Sequence, residues 1–392
     1  MVSSSMAFFG NSLLFMCFMV AVKSQGFWGN ANQGCRTPTG ETGDCIPARQ
    51  CRALITVLQT VKRPLTPSVT KQLNAYYCSF AYNMANVCCP QGPIILQDDS
   101  SQEVQQDPPD VSNHRNLRLL PPDCGYLDIP NKIRNGQNAE INEFPWMTLL
   151  RYRTSTGAEF RCGGTIINNK YILTAAHCIT RLKDPLLDVR VGEYNTSSVI
   201  DCVMDQNGIA KCINDPIQNL AIEEIIPHPE FNPNVIANDI GLLRVSRMNI
   251  NAENARPVCL PLGEHRLDEF RRVTVTGWGY TDSYAEVKTD VLQKVDLPIV
   301  PINRCREAYK GQSSKARLTY KQLCAGGQNN QDACPGDSGG PLQVARLVDG
   351  SARYIQHGVV SFGPRECGFE GFPGIYTRVA YYMDWILDNM RR

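Results

Sequence analysis

The distribution of hydrophobic and polar positions predicts mostly short strands in the second half of the chain. Apolar runs of a few residues alternate there with turn residues, a pattern typical of β-structure. The predicted strands cover residues 146–152, 189–191, 272–276 and 356–361. Near the end the pattern changes, because Met383, Ile386, Leu387 and Met390 recur at helical spacing. That spacing predicts a packing helix over residues 381–390.

Two stretches depart from this pattern. Residues 13–22 form an apolar run that is too short to cross a bilayer and that ends near small and polar residues at Ser24. We interpret residues 1–24 as a cleaved signal peptide, which predicts a secreted protein. From Gln91 to about Pro122 the chain is polar, acidic and punctuated by proline, which predicts a flexible linker.

Length, charge and cysteine content narrow the class of protein. A chain of 392 residues is too long for one small core and predicts two or more domains. The formal net charge of +1 gives no indication of a nucleic-acid partner. Seventeen cysteines indicate an oxidising compartment, and removal of Cys17 with the signal peptide leaves sixteen, so that all can pair.

Six of the cysteines form a compact block near the amino terminus. They are Cys35, Cys45, Cys51, Cys78, Cys88 and Cys89. Their spacing alone leaves several connectivities open. A zinc site is the alternative interpretation, but the adjacent Cys88–Cys89 pair and the secretory start favour disulfides. So short a block buries little apolar area and would depend on its bridges for stability.

The stretch Asp-Ala-Cys-Pro-Gly-Asp-Ser-Gly-Gly-Pro at residues 332–341 contains a candidate nucleophile, Ser338. Gly336 and Gly339 leave the backbone around this serine free of side chains. The N–H groups of Gly336 and Ser338 could therefore point at a substrate oxygen and form an oxyanion hole. Taken alone, such a run is more often a turn.

A base and an orienting acid occur elsewhere in the chain. His177 follows an apolar, strand-like run and two alanines, where a core histidine is the alternative interpretation. Asp239 opens another apolar run, where an ordinary turn aspartate is the alternative. Together, in the chain order His, Asp, Ser, the three residues indicate nucleophilic catalysis by an activated serine.

These motifs resemble those of the chymotrypsin-like serine proteases, over residues 133–392. Family sequences are also recognisable at residues 161–165, 275–279 and 373–379. The resemblance implies a mainly β fold, with two six-stranded antiparallel barrels, a C-terminal helix and the triad in the cleft between the barrels. It makes His177 the general base, Asp239 the residue that orients it and Ser338 the nucleophile.

The amino-terminal cysteine block, residues 34–90, resembles the clip domain that precedes arthropod serine proteases. Residues 91–132 would then be the linker and activation segment. The two resemblances imply the disulfides Cys35–Cys88, Cys45–Cys78, Cys51–Cys89, Cys162–Cys178, Cys305–Cys324 and Cys334–Cys367. Cys124 is expected to pair with Cys259, which would keep the clip domain attached after cleavage. Cys202 and Cys212 are expected to close an insertion loop.

Proteases of this family are made as inactive zymogens, and the resemblance places the activating cut after Lys132. The new amino group of Ile133 would pair with Asp337 and organise the oxyanion hole and the specificity pocket. The sequence Arg134-Asn135-Gly136 departs from the commoner Val-Gly-Gly. The alternative interpretation is an ordinary basic loop.

Substrate choice is predicted from Asp332, six residues before the serine. A buried carboxylate at the base of the pocket favours a substrate Arg or Lys. Gly363 and Gly374 would leave room for a long side chain. Ser361, in the Ser-Phe-Gly stretch that ends at Gly363, is also assigned to this pocket, and the stretch is expected to pair with the substrate backbone as an added strand.

Residues 192–202 resemble the calcium-binding loop of these proteases. The implied ligands of a structural Ca²⁺ are the carboxylates of Glu193 and Asp201 and the carbonyls of Asn195 and Ser198. The family's second glutamate beyond the loop has no clear counterpart here. Asn195-Thr196-Ser197 is also an N-glycosylation sequon. No cofactor is expected for catalysis.

The resemblance implies a secreted zymogen endopeptidase that cleaves after Arg or Lys in an arthropod immune cascade in the haemolymph. Its expected substrates are prophenoloxidase, in melanization, or the precursor of a Toll-pathway cytokine. The expected partners are an upstream activating protease and serpin inhibitors, without nucleic acid or membrane. The alternative is a non-catalytic homologue that acts as an adaptor. A digestive trypsin is disfavoured by the clip block and linker.

Overall fold

The computed structural model describes residues 34–61, 65, 67–81, 84–96, 106–126, 137–204, 208–263, 270–282, 287–310, 317–329, 331–348, 350–364 and 366–392. The chain divides into two compact units, at 1–102 and 103–392. The proposed signal peptide, and Lys132 and Ile133 of the proposed activation site, lie outside the described residues. No helix within the described ranges has the length and apolar character needed to cross a membrane.

The described part of the first unit is a small four-stranded antiparallel sheet with two α-helices and a 3₁₀ turn. Its strands, in the spatial order β1-β2-β4-β3, are β1 (Gly34–Arg36), β2 (Thr42–Pro47), β3 (Tyr77–Ala81) and β4 (Met84–Pro90). Its helices are a 3₁₀ turn (Ala48–Gln50), α1 (Arg52–Thr60) and α2 (Pro67–Asn74). Helix α1 buries Leu54 and Val57 against the sheet, in a core that also contains Ile94.

The second unit begins with a closed six-stranded barrel. Its strands are β6 (Met147–Thr154), β7 (Gly157–Ile166), β8 (Tyr171–Thr174), β9 (Leu186–Val191), β12 (Gln218–Pro227) and β13 (Gly241–Val245). Between β9 and β12 the chain forms a hairpin of β10 (Cys202–Met204) and β11 (Ala210–Cys212). A 3₁₀ turn (Ala176–Cys178) follows β8 and carries His177.

A second ring of six strands follows. It consists of β14 (Arg272–Gly277), β17 (Gln293–Val300), β18 (Gln322–Ala325), β19 (Pro341–Val348), β20 (Ser351–Phe362) and β21 (Gly374–Arg378). Pairing of β14 with both β17 and β19 closes the ring. Strand β5 (Gln137–Asn138) adds to the edge of β17, and β15 (Tyr280–Asp282) pairs with β16 (Val287–Lys288). The expected pair of antiparallel barrels is therefore confirmed.

The remaining helices cover the second unit. They are α3 (Ile302–Tyr309), α4 (Met383–Asp388) and 3₁₀ turns at Leu117–Leu119 and Val379–Tyr382. The predicted C-terminal helix over residues 381–390 is thus a 3₁₀ turn followed by a short α-helix. Its apolar positions Met383, Ile386, Leu387 and Met390 are buried, as their spacing indicates.

Eight disulfides link the described cysteines. They join Cys35–Cys88, Cys45–Cys78, Cys51–Cys89, Cys124–Cys259, Cys162–Cys178, Cys202–Cys212, Cys305–Cys324 and Cys334–Cys367. These are the pairs that the sequence resemblances imply, and Cys202–Cys212 closes the β10–β11 hairpin.

The structure differs from the predicted flexible linker at both of its ends. Ile94 is 5% exposed in the core of the first unit, and Val111 is 5% exposed in the core of the second. This stretch has irregular backbone, so its buried apolar residues do not recur at a regular spacing. Because the rest of the stretch is polar, nothing in its sequence indicates that these few side chains anchor it.

Candidate active site

The loop that carries Ser338 is joined to both barrels. The Ser338 carbonyl accepts a hydrogen bond from Gly163 N at 2.8 Å, which ties it to β7 of the first barrel. Gly339 N donates to Val360 O at 2.8 Å, which ties the loop to β20 of the second barrel. Ser338 is partly exposed. The fold therefore presents this hydroxyl in the cleft between the barrels.

His177 and Asp239 meet at the same cleft. His177 Nδ1 lies 2.7 Å from Asp239 Oδ2, and the backbone N–H of His177 donates to Asp239 Oδ1 at 2.9 Å. An ionised carboxylate only accepts, so the ring contact requires the proton on Nδ1 and leaves Nε2 as the acceptor. The His177 side chain is 34% exposed and that of Asp239 is 2% exposed.

The pKa values of this pair move in opposite directions. Burial opposes the charge on His177, but the Asp239 carboxylate outweighs it and raises the pKa of His177 above 6.5. Burial likewise opposes the charge on Asp239. This effect of burial is outweighed by the charge of His177 and by hydrogen bonds from His177 and Ser361. The pKa of Asp239 is therefore lowered. Each group thus favours the charged form of the other.

Two further hydroxyls support Asp239, and sequence reasoning did not identify either role. Ser361 Oγ, from β20, donates to Asp239 Oδ2 at 2.5 Å. Thr377 Oγ1, from β21, donates to the Asp239 carbonyl at 2.7 Å. The sequence predicts that Ser361 lines the substrate pocket and pairs with the substrate backbone, but it predicts no contact with Asp239. These contacts join residues more than a hundred positions apart, and no local motif signals them.

Within the described part of the chain no hydrogen bond joins Ser338 Oγ to His177, whose Nε2 has Cys178 Sγ at 3.5 Å. In serine enzymes without substrate this contact is often long and tightens as substrate binds. The Ser338 loop adjoins β7, and β7 pairs with β8, the strand that leads into the His177 turn. The three sequence-predicted residues are therefore brought to one cleft.

The backbone of the Ser338 loop leaves two donors available. The N–H groups of Asp337, Gly339 and Gly340 make hydrogen bonds inside the protein. Those of Gly336 and Ser338 make none among the described residues. Gly336 has φ +103°, and a Cβ there would lie 2.8 Å from Gly279 Cα. Only glycine fits this position, so the backbone geometry that frees these donors depends on it.

Asp337 is a half-buried carboxylate without a cationic partner among the described residues. Its Oδ1 accepts from Gly279 N at 2.8 Å and its Oδ2 from Cys334 N at 2.9 Å. Burial raises its pKa to about 6 in spite of these two bonds. Asp337 lines a cavity of about 210 Å³ together with Asp332 and Lys294. A carboxylate in this setting, facing a cavity, could pair with a positively charged group that enters the cavity later.

Lys294 in this cavity already has a partner. Its Nζ lies 2.7 Å from both carboxylate oxygens of Glu143, and the two side chains are 9% and 5% exposed. This buried ion pair links β17 to the turn that follows β5, close after the proposed new amino terminus. Sequence reasoning did not identify it.

Asp332 is a buried carboxylate beside Gly374, which in turn adjoins Gly363. It is 9% exposed, its Oδ1 accepts from Ala333 N at 2.8 Å, and its Oδ2 has no hydrogen bond within the described residues. Burial raises its pKa to about 7. A Cβ on Gly374 would lie 2.6 Å from Asp332 Oδ1, and one on Gly363 would face Gly374 Cα at 3.9 Å. Glycine at both positions keeps the way to the carboxylate open.

The predicted calcium loop gathers two buried carboxylates. Glu193 and Asp201 are 7% and 4% exposed, and both accept a hydrogen bond from Tyr194 N at 3.1 Å. Arg190 Nη1 lies 3.1 Å from Glu193 Oε2. Burial, followed by the Asp201 charge, raises the pKa of Glu193 in spite of Arg190. Two neighbouring carboxylates, of which Glu193 is paired with Arg190, fit a divalent cation that prefers hard oxygen ligands.

The other two predicted ligands are close to this pair. Ser198 Oγ donates to Asp201 Oδ1, and the Asn195 carbonyl accepts from Ser198 N at 3.0 Å. The Asn195 side chain uses its Oδ1 to accept from Ser197 Oγ at 2.8 Å. Its Nδ2 makes no hydrogen bond among the described residues, so the nitrogen that would carry a glycan is available.

Comparison with known proteins extends these observations. The Trypsin family model matches residues 133–386, and the model of the regulatory CLIP domain of proteinases matches residues 35–89. Phenoloxidase-activating factor 1 of Holotrichia diomphalia is 38% identical over 372 residues, which cover 92% of this chain and 94% of that protein. Melanization protease 1 of Drosophila melanogaster is 35% identical over 379 residues, which cover 91% and 93%.

A solved structure is similar over nearly the whole chain. The crystal structure of Grass, a Drosophila clip serine protease of the Toll pathway, has a TM-score of 0.63 and 31% identity. The match covers 92% of this chain and 98% of that one. These matches extend over both units, and the chain belongs to the clip-domain serine proteases of the trypsin family.

Proposed function

We propose that this protein is a secreted zymogen endopeptidase that is activated by a cut after Lys132, cleaves after Arg or Lys, and acts in an insect immune protease cascade. The proposed specificity rests on Asp332. Its carboxylate is buried and has one oxygen without a hydrogen bond among the described residues, so a substrate guanidinium or ammonium could form an ion pair with it. The clip unit and the names of the relatives support the cascade. Melanization and processing of a Toll ligand are the two candidate pathways.

In the proposed reaction the Ser338 hydroxyl attacks the carbonyl carbon of the scissile bond while His177 Nε2 takes its proton. Asp239 stabilises the imidazolium and holds the Nδ1 proton in place. Gly336 N and Ser338 N would stabilise the oxyanion of the tetrahedral intermediate. His177 then gives its proton to the leaving amine. In the second half of the reaction His177 takes a proton from water, the water oxygen attacks the acyl carbonyl carbon, and the proton returns to Ser338 as the acid product leaves.

Candidate substrates can be tested directly. The activated protein is incubated with insect haemolymph zymogens, with prophenoloxidase and with a Toll-ligand precursor, and the new amino termini are sequenced. Cuts after Arg or Lys in one of these proteins would support the proposal, and cuts after other residues would contradict the specificity. A non-catalytic adaptor is the rival function. A fluorophosphonate would label Ser338 of a protease and would leave an adaptor unlabelled.

Lys132→Gln is expected to leave a secreted zymogen that trypsin-like activators cannot switch on. The uncharged glutamine would not fit an activator that selects a basic side chain, so Ile133 would not gain a free amine to pair with Asp337. Cleavage is followed by gel electrophoresis and activity by hydrolysis of an arginine anilide. Lys132→Arg is the matched control and should be activated normally. Normal activation of the glutamine variant at the same bond would refute the assignment.

The acid limb of kcat/KM is expected to have its midpoint above pH 6.5, because only neutral His177 can accept the serine proton and its pKa is raised. Activity therefore falls as pH decreases through that value. Asp239→Asn removes the charge that raises the pKa, so the midpoint should move to lower pH, while kcat falls by about 10⁴-fold. Profiles between pH 5 and pH 9 measure both effects. An unmoved midpoint in the variant would contradict the proposed coupling.

We further propose that Glu193 and Asp201 hold a structural Ca²⁺ with main-chain oxygens of Asn195 and Ser198. Calcium is expected to raise the melting temperature of the full chain, because it binds the folded loop and offsets the repulsion between the two carboxylates. Glu193→Gln should remove most of that increase, whereas Glu159→Gln, at an exposed carboxylate, should not. Equal melting curves with calcium and with chelator would exclude the site.

A further inference from the structure

Residues 106–126, here called the strap, precede the proposed cut and lie in the second unit. Val111 is buried in the core of that unit, and Leu117, Leu119 and Leu120 pack against the same core. Burial of four aliphatic side chains is a substantial hydrophobic contact for so short a segment. The strap is therefore attached to the protease unit by hydrophobic contacts as well as by the continuity of the chain.

Polar contacts fix the strap on the C-terminal helix. Asn116 Nδ2 donates to the carbonyls of Leu387 and Met390, at 2.9 and 3.1 Å. Leu387 lies in the last turn of α4 and Met390 just beyond it. The Leu387 carbonyl also accepts from Met390 N at 3.2 Å, so Asn116 adds a further donor at this helix end. His114 Nε2 lies 3.1 Å from Asp388 Oδ1 on the same helix.

A second set of contacts holds the other end of the strap. Gly125 N donates to Pro257 O at 2.8 Å, and Gly125 O accepts from Tyr354 N at 2.6 Å, next to an antiparallel bridge between Tyr126 and Arg353. Arg353 Nη1 donates to Pro122 O at 2.6 Å, and its guanidinium lies 4.8 Å from the centre of the Tyr126 ring. The Cys124–Cys259 disulfide is surrounded by these contacts.

We propose that the face formed by α4 and the Pro257 and Tyr354 backbone is a binding surface for the strap, and that this non-covalent contact retains the clip unit on the protease after activation even without the Cys124–Cys259 bond. The cut at residue 132 separates the strap from the catalytic chain, and the strap is continuous in sequence with the clip unit. The contacts of Val111, His114 and Asn116 with the core and α4 lie at least eight residues before Cys124 and do not depend on the disulfide chemically. The active enzyme would then be a two-chain complex with two separate attachments.

The test uses the full chain, with residues 128–132 replaced by the recognition sequence of a site-specific protease. The cut then takes place whatever the natural activator is, so failure of the proposed activation and failure of this inference are distinguishable. Cys124→Ser with Cys259→Ser removes the bond. After cutting, size-exclusion chromatography at micromolar concentration is expected to show the two fragments in one peak. Their separation, with uncut protein still folded, would overturn the proposal.

Strap variants test which contacts are responsible. Val111→Asp with Asn116→Ala, added to the cysteine variant, should weaken retention by on the order of 100-fold, through lost burial and two lost hydrogen bonds. Asn113→Ala is the matched control, since this exposed amide contacts only Ser112 within the strap. Release by the control as large as that by Val111→Asp with Asn116→Ala would contradict the assigned surface.

A measurement with the native disulfide covers the case in which the cysteine variant does not fold. Amide hydrogen exchange of residues 108–120 is compared before and after the cut in the engineered chain. The strap is expected to keep its protection, since the cut removes none of the contacts to α4. Loss of protection upon cutting would mean that the disulfide alone retains the clip unit, which would refute the proposal.

Discussion

Ser338→Ala is expected to lower kcat by about 10⁶-fold, because removal of the nucleophile leaves only binding and the oxyanion donors to act on the substrate. The fold should be unaffected, since the hydroxyl makes no hydrogen bond with His177 and the loop is held through its backbone. The measurement is hydrolysis of an arginine anilide by the activated protein, together with fluorophosphonate labelling.

The control for this variant is Ser351→Ala, at an exposed serine in β20, which should retain full activity and labelling. Unchanged melting temperatures in both variants would show that the loss is chemical. Labelling of Ser338→Ala at the parental level would mean that another residue is the nucleophile and would remove the basis of the proposed mechanism.

Asp332→Asn is expected to reduce kcat/KM for arginine substrates by about 10³-fold, because the substrate cation would enter a buried pocket without its counter-charge. The same change should increase stability at neutral and alkaline pH. Burial raises the pKa of Asp332 from 3.8 to about 7, so the folded state disfavours the ionised form. That cost is absent below the unfolded pKa and complete above about pH 7.

The stability difference is measured by denaturant unfolding at pH 4 and pH 8. Parent and variant should agree to within about 1 kcal/mol at pH 4, just above the unfolded pKa, and the variant should be more stable at pH 8 by up to about 4 kcal/mol. Asp107→Asn, at an exposed carboxylate, should change neither specificity nor pH dependence. Retained preference for arginine in Asp332→Asn would contradict the proposed specificity.

Much of the site could be predicted because its chemistry is local in sequence. Gly336, Asp337 and Ser338 are contiguous, and Asp332 precedes them by a few positions, so one motif carries the nucleophile, the oxyanion donors and the specificity carboxylate. The barrels followed from the resemblance and not from periodicity. Periodicity alone found parts of four strands and underestimated β20, which runs over Ser351–Phe362, because polar residues interrupt its apolar pattern.

The contacts missed by sequence reasoning join distant positions. Ser361 bonds Asp239 across 122 positions of chain, and Lys294 pairs with Glu143 across 151. No spacing rule relates such residues, since their proximity is a result of how the second barrel packs. The strap was missed for another reason. Its composition is that of a linker, and the free energy that orders it comes from a few side chains whose burial depends on the protease surface.

The hydrogen bonds to Asp239 have a consequence for how this enzyme would lose activity. Asp239 belongs to the first barrel, but Ser361 of β20 holds its carboxylate and Thr377 of β21 holds its backbone carbonyl, and both strands belong to the second barrel. Any slight opening of the seam between the barrels would release the aspartate and let the imidazole turn away, with each barrel still intact. Inactivation by heat or denaturant should therefore precede the loss of β-structure, because the same hydrogen bonds that join the two barrels also hold the catalytic aspartate in place.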